Sequence, residues 1–460
     1  MNIKKGDIFE TKIIAFAFQG NGIGEFEGMK VFVPKTFPGD IVRAKFVKIK
    51  KKYAHAELVE IIEKSPERTK ELCSHADNCG GCQMQFIPYE KQIEFKYQHV
   101  KDCIQRIAKL QDLKINPVIA SKNILFYRNK MEFSFGYDSD MNFTFGLHVP
   151  NRRFDIFDVK DCILQIDINS KILPVFRNWA LKYKFPPFRY SDGEGFIRSL
   201  FVRDGKRSEN LMLNLVTSHD VPDNFAKALE ELAESLKNSD FNVDSFYWTK
   251  VISKRGQKRQ DEETLIFGSP TISEKLIIDD IELDFDIYPS SFFQVNTFQA
   301  EVLYKEIFKI AKPLKHKTAF DLFCGTGTIS LFLAKFIDRV IGVDINEFSI
   351  KAAKENSLKN NIYNIDFLCG DAYKVMKELD ENPELIVVDP PRTGLGEKTC
   401  EKIVEYKPEH IIYVSCDPAT LARDLATFDE LNYKALTVQP VDMFPHTYHI
   451  ENVVLLEKNF

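Results

Sequence analysis

The sequence predicts an α/β protein in three parts: a small β-barrel over residues 1–62, a mostly β central domain over 63–290 and a doubly wound parallel sheet over 291–460. Three observations predict it. Residues 4–62 alternate apolar and polar positions between glycine and Pro-Gly breaks, the texture of short barrel strands. Residues 117–290 are strand-like, with one helix expected near 221–237 and a polar loop at 253–263. From about residue 299, strands alternate with helix-length segments, which is the pattern of a parallel sheet covered on both faces.

At 460 residues and 44% hydrophobic, the chain has ample apolar content for several cores. No apolar run approaches the roughly 18 to 20 residues of a membrane span, and the opening "MNIKKGDIFE" lacks the apolar stretch of a secretory signal. A cytoplasmic monomer without membrane contact is expected. The net charge of −5 hides a basic segment, Arg43, Lys45, Lys48, Lys50, Lys51 and Lys52, that suits phosphate or simply guards a strand edge. Nine unevenly spaced cysteines do not form a secreted disulfide framework, so metal binding or catalysis has to be weighed for the clustered ones.

The last third carries the chemistry. "TAFDLFCGTGTIS", "RVIGVDIN", "IDFLCGDA", "ELIVVDPPR" and "HIIYVSC" read as strands ending in glycine, acid or cysteine, and ligands bind beyond such carboxyl ends. Asp321, Gly325 and Gly327 form a strand-to-helix turn where a ligand can approach the backbone. Asp344 ends the second strand, where a carboxylate accepts hydrogen bonds from ribose hydroxyls, and Asp371 ends the third within reach of an adenine amino group. This order fits a dinucleotide or S-adenosylmethionine. The missing third glycine weakens the dinucleotide reading, and "VVDPPR" favours a methyltransferase. "YKALTVQPVDMF" and "HIENVVLLEK" then form a terminal hairpin, giving the seven-stranded, Rossmann-like sheet of that class.

Cys416 follows a β-branched strand and precedes Asp417-Pro418, a helix start whose dipole favours a thiolate. Alone, such a cysteine is more often a small buried hydrophobe. Its surroundings change the reading. "SCDPATLARDL" and "FPHTYHIENVVLLEK" resemble the two signature motifs of the RNA uracil-5-methyltransferase family, and "FYRNKMEFSFG", "SFFQVN", "DLFCGTGT" and "VVDPPRTGL" resemble further family segments. The likeness spans nearly the whole chain. The N-terminal part, through the Gly20 to Gly24 turn, the "VFVPKTFPGD" segment and the trailing basic strand, resembles the OB-like TRAM domain.

The resemblance implies Cys416 as the nucleophile that adds to carbon 6 of uracil, and Glu451 as the base that removes the carbon-5 proton. It places Gln294, Phe323, Asp344 and Asp389 at the cofactor, with Gln294 and Asp389 also bordering the uracil. Asp344 is often glutamate in relatives, and Thr328 stands where some have asparagine. His446 and His449 orient substrate or merely pack. Tyr127, Arg128, Lys130 and Phe133 offer RNA stacking and phosphate contacts, or belong to the sheet core.

Cys73, Cys79 and Cys82, spaced C-x5-C-x2-C, and the distant Cys162 are suited to zinc or an iron–sulfur cluster, with His75 a substitute zinc ligand. The resemblance implies a 4Fe–4S cluster on the four cysteines and 23S ribosomal RNA as substrate. Cys103, Cys324, Cys369 and Cys400 are expected to be structural. Three alternatives stand beside this reading: 5-methyluridine formation in tRNA, amino-group methylation of a purine, and a non-catalytic RNA-binding assembly factor.

Overall fold

The computed structural model describes residues 3–459 except 18, 19, 151, 153, 253–258 and 380. The N-terminal six-stranded sheet runs Ile8–Lys12, Ile41–Ile49, Tyr53–Glu63, Met29–Pro34, Asn21–Phe26, Ala15–Ala17 in spatial order. Phe9, Val31, Val33, Val42, Ala44 and Phe46 fill its interior. The Gly20 to Gly24 segment, expected as a turn, is mostly the strand Asn21–Phe26. Glycine is required there for close approach: a Cβ at Gly22 would lie 2.1 Å from Thr36 Oγ1, and one at Gly24 would lie 2.6 Å from Thr11 Cγ2.

The central sheet has seven strands between Lys130 and Gly268. Two helices cover it, where the sequence suggested one: Phe225–Lys237 and also Asn169–Tyr183, which buries Ile172, Leu173, Phe176 and Trp179. Those four have helical spacing; the internal Pro174 obscures it, although a proline there removes one backbone donor without ending the helix. Of the polar loop expected at 253–263, residues 253–258 lie outside the described residues, and 260–263 belong to the strand Gln260–Gly268.

The C-terminal sheet is built from β1 (Thr318–Leu322), β2 (Arg339–Asp344), β3 (Ile365–Cys369), β4 (Leu385–Val388), β5 (His410–Ser415), β6 (Tyr433–Val441) and β7 (Glu451–Lys458). Its order is β3-β2-β1-β4-β5-β7-β6, with β7 antiparallel to its neighbours. An eighth, two-residue strand, Lys114–Ile115, adds to β6 from outside the expected domain. The helix Tyr89–Cys103 and the single π-turn Ile104–Ala108 likewise leave the expected central domain: Val100, Cys103, Ile104 and Ala108 share a core with β4, β5 and the helix Pro418–Glu430.

Candidate functional site

The doubly wound sheet brings the polar strand ends to one edge. Phe323, one residue past β1, is held at φ 67°, the left-handed region that a bulky residue rarely adopts. Gly325 and Gly327 follow at φ 55° and 80°, and a Cβ on Gly327 would strike Phe367 at 2.7 Å. Asp344, at the end of β2, clamps this turn: its carboxylate accepts from Gly325 N at 3.0 Å and from Asn346 N at 2.7 Å. Asp321 accepts from Ser330 Oγ, while its other oxygen is buried without a partner and burial pushes the carboxyl up to about 7.

Asp371 is exposed and caps the helix Ala372–Glu378, accepting from Lys374 N at 3.1 Å. Gln294 is half-buried, and its carbonyl accepts from Asn129 Nδ2 at 2.8 Å. Asn129 also donates to Thr297 Oγ1, so "YRNK" is strapped to "SFFQVN".

Register brings the two catalytic candidates together. In the antiparallel β5–β7 pair Ser415 faces Asn452, so Cys416, one residue past β5, and Glu451, the first residue of β7, meet at the same edge. Glu451 is 4% exposed, and burial first, then Asp389, pushes its carboxyl up to about 8. Asp389, just past β4, is raised to about 7 by burial. The half-buried Cys416 thiol is pushed up to about 12 by burial first, then by Glu451 and Asp389, against an opposing pull from Arg392.

The helix Pro418–Glu430 starts two residues beyond Cys416. Asp417 caps it, accepting from Ala419 N at 2.9 Å and Thr420 N at 3.0 Å, so those donors are already engaged.

Arg392 is the residue whose role the sequence reading missed. It is the cation that opposes the acid cluster, and it also lies 3.3 Å from His449 Nε2. The available signal was its place directly after "VVDPP". Burial first, then Arg392, lowers His449 to about 4, leaving its ring neutral.

Cys73, Cys79, Cys82 and Cys162 line one cavity of about 420 Å³, together with Arg128, whose buried Nε has no partner. No three of these sulfurs lie within 4.8 Å of one another. Cys73 Sγ accepts from His75 N at 3.4 Å and Cys79 Sγ from Gly81 N at 3.3 Å. Burial pushes Cys82 up to about 12 and Cys162 up to about 11. His75 Nε2 accepts from Lys160 N at 3.2 Å, so that nitrogen is engaged. Of the other cysteines, Cys103, Cys324 and Cys400 are buried and Cys369 is exposed.

The aromatics of "YRNKMEFSF" are core: Tyr127 is buried with its hydroxyl donating to Pro445 O at 3.1 Å, and Phe133 is fully buried. In the basic strand, Arg43 pairs with Glu10 and Glu60, and Lys45 with Glu57. The remaining cations of that stretch are Lys48, Lys50, Lys51 and Lys52.

Glycine turn, ribose-suited acid, strand-end cysteine and terminal antiparallel hairpin on a doubly wound sheet define a methyltransferase-type protein. The family model for tRNA (uracil-5-)-methyltransferases matches residues 200–459, and that for the TRAM domain matches residues 4–59. The chain is 36% identical over 461 residues to an RNA methyltransferase of Clostridium acetobutylicum, covering 99% of this chain and 98% of the relative. It is 35% identical to another from Caldanaerobacter subterraneus, covering 99% and 100%. The crystal structure of the Pyrococcus abyssi tRNA (uracil-54, C5)-methyltransferase in complex with S-adenosyl-L-homocysteine matches with a TM-score of 0.73 at 28% identity, covering 97% of this chain and 100% of that one. The chain belongs to the tRNA (uracil-5-)-methyltransferase family, whose members are S-adenosylmethionine-dependent RNA methyltransferases, and carries an N-terminal TRAM domain. No helix among the described residues is long and apolar enough to cross a membrane.

Proposed function

We propose that the chain forms 5-methyluridine in 23S ribosomal RNA through a covalent adduct on Cys416, resolved by Glu451. The observation that supports the mechanism is the β5–β7 register, in which Ser415 pairs with Asn452 so that Cys416 and Glu451 lie at the same edge of the sheet. S-adenosylmethionine, when bound, supplies an electrophilic methyl group. Gln294, Phe323, Asp344, Asp371 and Asp389 would hold it, with Gln294 and Asp389 also bordering the uracil.

Carbon 5 of uracil is a weak nucleophile until a thiolate adds to carbon 6 and makes it an enolate carbon. The Cys416 thiol must therefore first release its proton to solvent, and Arg392 is the neighbouring cation that favours the resulting thiolate. After carbon 5 takes the methyl group, ionised Glu451 removes its proton, the carbon 5–carbon 6 double bond re-forms, and the Cys416 sulfur leaves. The target base must first be unstacked and turned into the pocket.

The four-cysteine cavity fits a 4Fe–4S cluster better than a single tetrahedral zinc. Four sulfurs at roughly 2.3 Å from one ion would crowd within about 4 Å of one another. Here no three of them lie within 4.8 Å of one another, and the cavity of about 420 Å³ that they line is also lined by Arg128, a half-buried cation suited to an anionic cluster. Protein purified without oxygen should absorb in the visible and lose that absorption in Cys162→Ala; a colourless protein containing zinc would reverse the assignment.

Transfer RNA is the second reading, favoured by the Pyrococcus abyssi neighbour. Because that tRNA methyltransferase aligns over 97% of this chain, the barrel by itself does not favour ribosomal RNA. One experiment separates the readings: incubation with S-adenosylmethionine and 5-fluorouridine-substituted 23S rRNA fragments or tRNA, resolved on a denaturing gel. Fluorine blocks proton removal, so the adduct persists with the true substrate and is absent in Cys416→Ala. An adduct with tRNA alone would replace ribosomal RNA, and none with either, despite cofactor binding, would overturn the mechanism.

A further inference from the structure

We propose that Gln92 is a positioning residue that couples the four-cysteine site to the segment carrying Glu451. The inference rests on the catalytic assignment above and concerns how the base is held in place.

Gln92 is 0% exposed, on the helix Tyr89–Cys103. Its Nε2 donates to Met84 O at 3.0 Å and Ile87 O at 2.9 Å, while its Oε1 accepts from His446 N at 2.9 Å. The same Nε2 lies 3.3 Å from His446 Nδ1. Met84 N donates to His446 O at 3.0 Å, closing a ring of contacts between the two loops. Met84 is two residues past Cys82, and His446 is five residues before Glu451. One carboxamide therefore holds the cysteine loop and the catalytic segment against each other.

His446 is where that hold matters. Its φ is 66°, a left-handed conformation that costs a non-glycine residue about 1–3 kcal/mol unless its surroundings enforce it. Both its backbone polar groups are used: the N–H by Gln92 and the carbonyl by Met84. The neighbouring anchors act elsewhere. Lys96 holds Asp442 at 2.6 Å and Phe444 O at 3.0 Å, and Tyr127 holds Pro445 O, so the start of the segment is fixed independently. Without Gln92, His446 relaxes from the left-handed region, and residues 447–451, including His449 beside Arg392, lose their register with Cys416. Loss of the cysteine site's occupant frees Met84 and reaches Glu451 by the same route.

The test uses Gln92→Met, which keeps the volume and removes the hydrogen bonds. Proton removal is the last step, so a displaced base stalls the reaction after Cys416 has attached. The expected result with ordinary uridine RNA is a protein–RNA adduct on a denaturing gel that the wild type does not accumulate. Turnover should fall ~100-fold, the loss expected for a displacement of about 1 Å, with KM for RNA within about twofold. Visible absorption and S-adenosylmethionine affinity should match the wild type, and adding His446→Gly, which tolerates the left-handed backbone unaided, should recover part of the turnover. Turnover equal to the wild type, or a loss with no adduct and weakened cofactor binding, overturns the proposal. Hydrogen exchange tests the coupling without activity: the His446 amide should exchange faster in Gln92→Met and in Cys82→Ala, and unchanged exchange in Cys82→Ala refutes the link. If wild type forms no adduct even with 5-fluorouridine RNA, the catalytic assignment fails while the exchange result still decides the coupling.

Discussion

Replacing Glu451 by glutamine should make the protein more stable, by an amount that grows with pH. Burial and Asp389 raise this carboxyl from 4.5 to about 8. Below about pH 4.5 the group is protonated in both the folded and the unfolded chain, and its full contribution is present. Between 4.5 and 8 the folded chain keeps a proton that the unfolded chain releases, so stability falls as pH rises until the folded group also ionises. At about 1.36 kcal/mol per pH unit, the penalty accumulated from pH 5 to pH 8 is about 3–4 kcal/mol. Glu451→Gln carries no such penalty. At roughly 2–4 °C per kcal/mol for a domain of this size, its melting temperature should exceed the wild type's by on the order of 10 °C more at pH 8 than at pH 5. Scanning fluorimetry across that range measures it. Equal differences at both pH values would refute the burial argument, whatever the variant's activity. The same protein should accumulate an adduct with unmodified uridine RNA, because its thiol is intact and its base is gone.

Two further outcomes follow from the geometry. Asp344→Ala removes the acceptor for Gly325 N and Asn346 N as well as the expected ribose partner; at about 1.5–3 kcal/mol for hydrogen bonds to a charged group, calorimetry should show S-adenosylmethionine binding weakened ~10- to 100-fold, and an unchanged affinity would remove Asp344 from the site. Gly22→Ala places a methyl 2.1 Å from Thr36 Oγ1 and 2.7 Å from Ile13 Cγ2 in the barrel, and overpacking of this kind costs about 1–3 kcal/mol; RNA affinity should drop with cofactor affinity intact, and a barrel of unaltered melting temperature would contradict the close packing.

What the sequence disclosed depended on how local each cause was. Strands ending in "DLFCG", "VDIN", "VVDPP" and "VSC" announce their ligand edge because strand and polar end are contiguous. Glu451 came only from the resemblance of "FPHTYHIENVVLLEK" to a family motif; the antiparallel return of the terminal hairpin is what puts the start of its second strand at that edge. The sequence pattern grouped the helix Tyr89–Cys103 with the central segment because its ties to Asp442 and His446 span about 350 residues and leave no periodic trace. Tyr127 and Phe133 were ambiguous because an aromatic in an alternating strand has the same pattern facing a core or an RNA base. The helix start expected to favour a Cys416 thiolate is capped by Asp417, whose carboxylate engages two of its first donors, a contact that a propensity reading of the segment does not show.

The same electrostatics explain why the site tolerates its instability. Glu451, Asp389 and Cys416 each raise their proton affinity by burial, and the first two further raise that of Cys416, with Arg392 the opposing cation. Such a cluster favours its protonated forms, and positive charge brought beside it shifts the balance toward nucleophile and base. A pocket of neutral residues would fold more stably and have nothing to ionise. A solvated pocket would ionise at once and expose a reactive thiolate to every electrophile. Burial thus links the cost in folding to the timing of the chemistry, and any substitution that relieves the first should be read for its effect on the second.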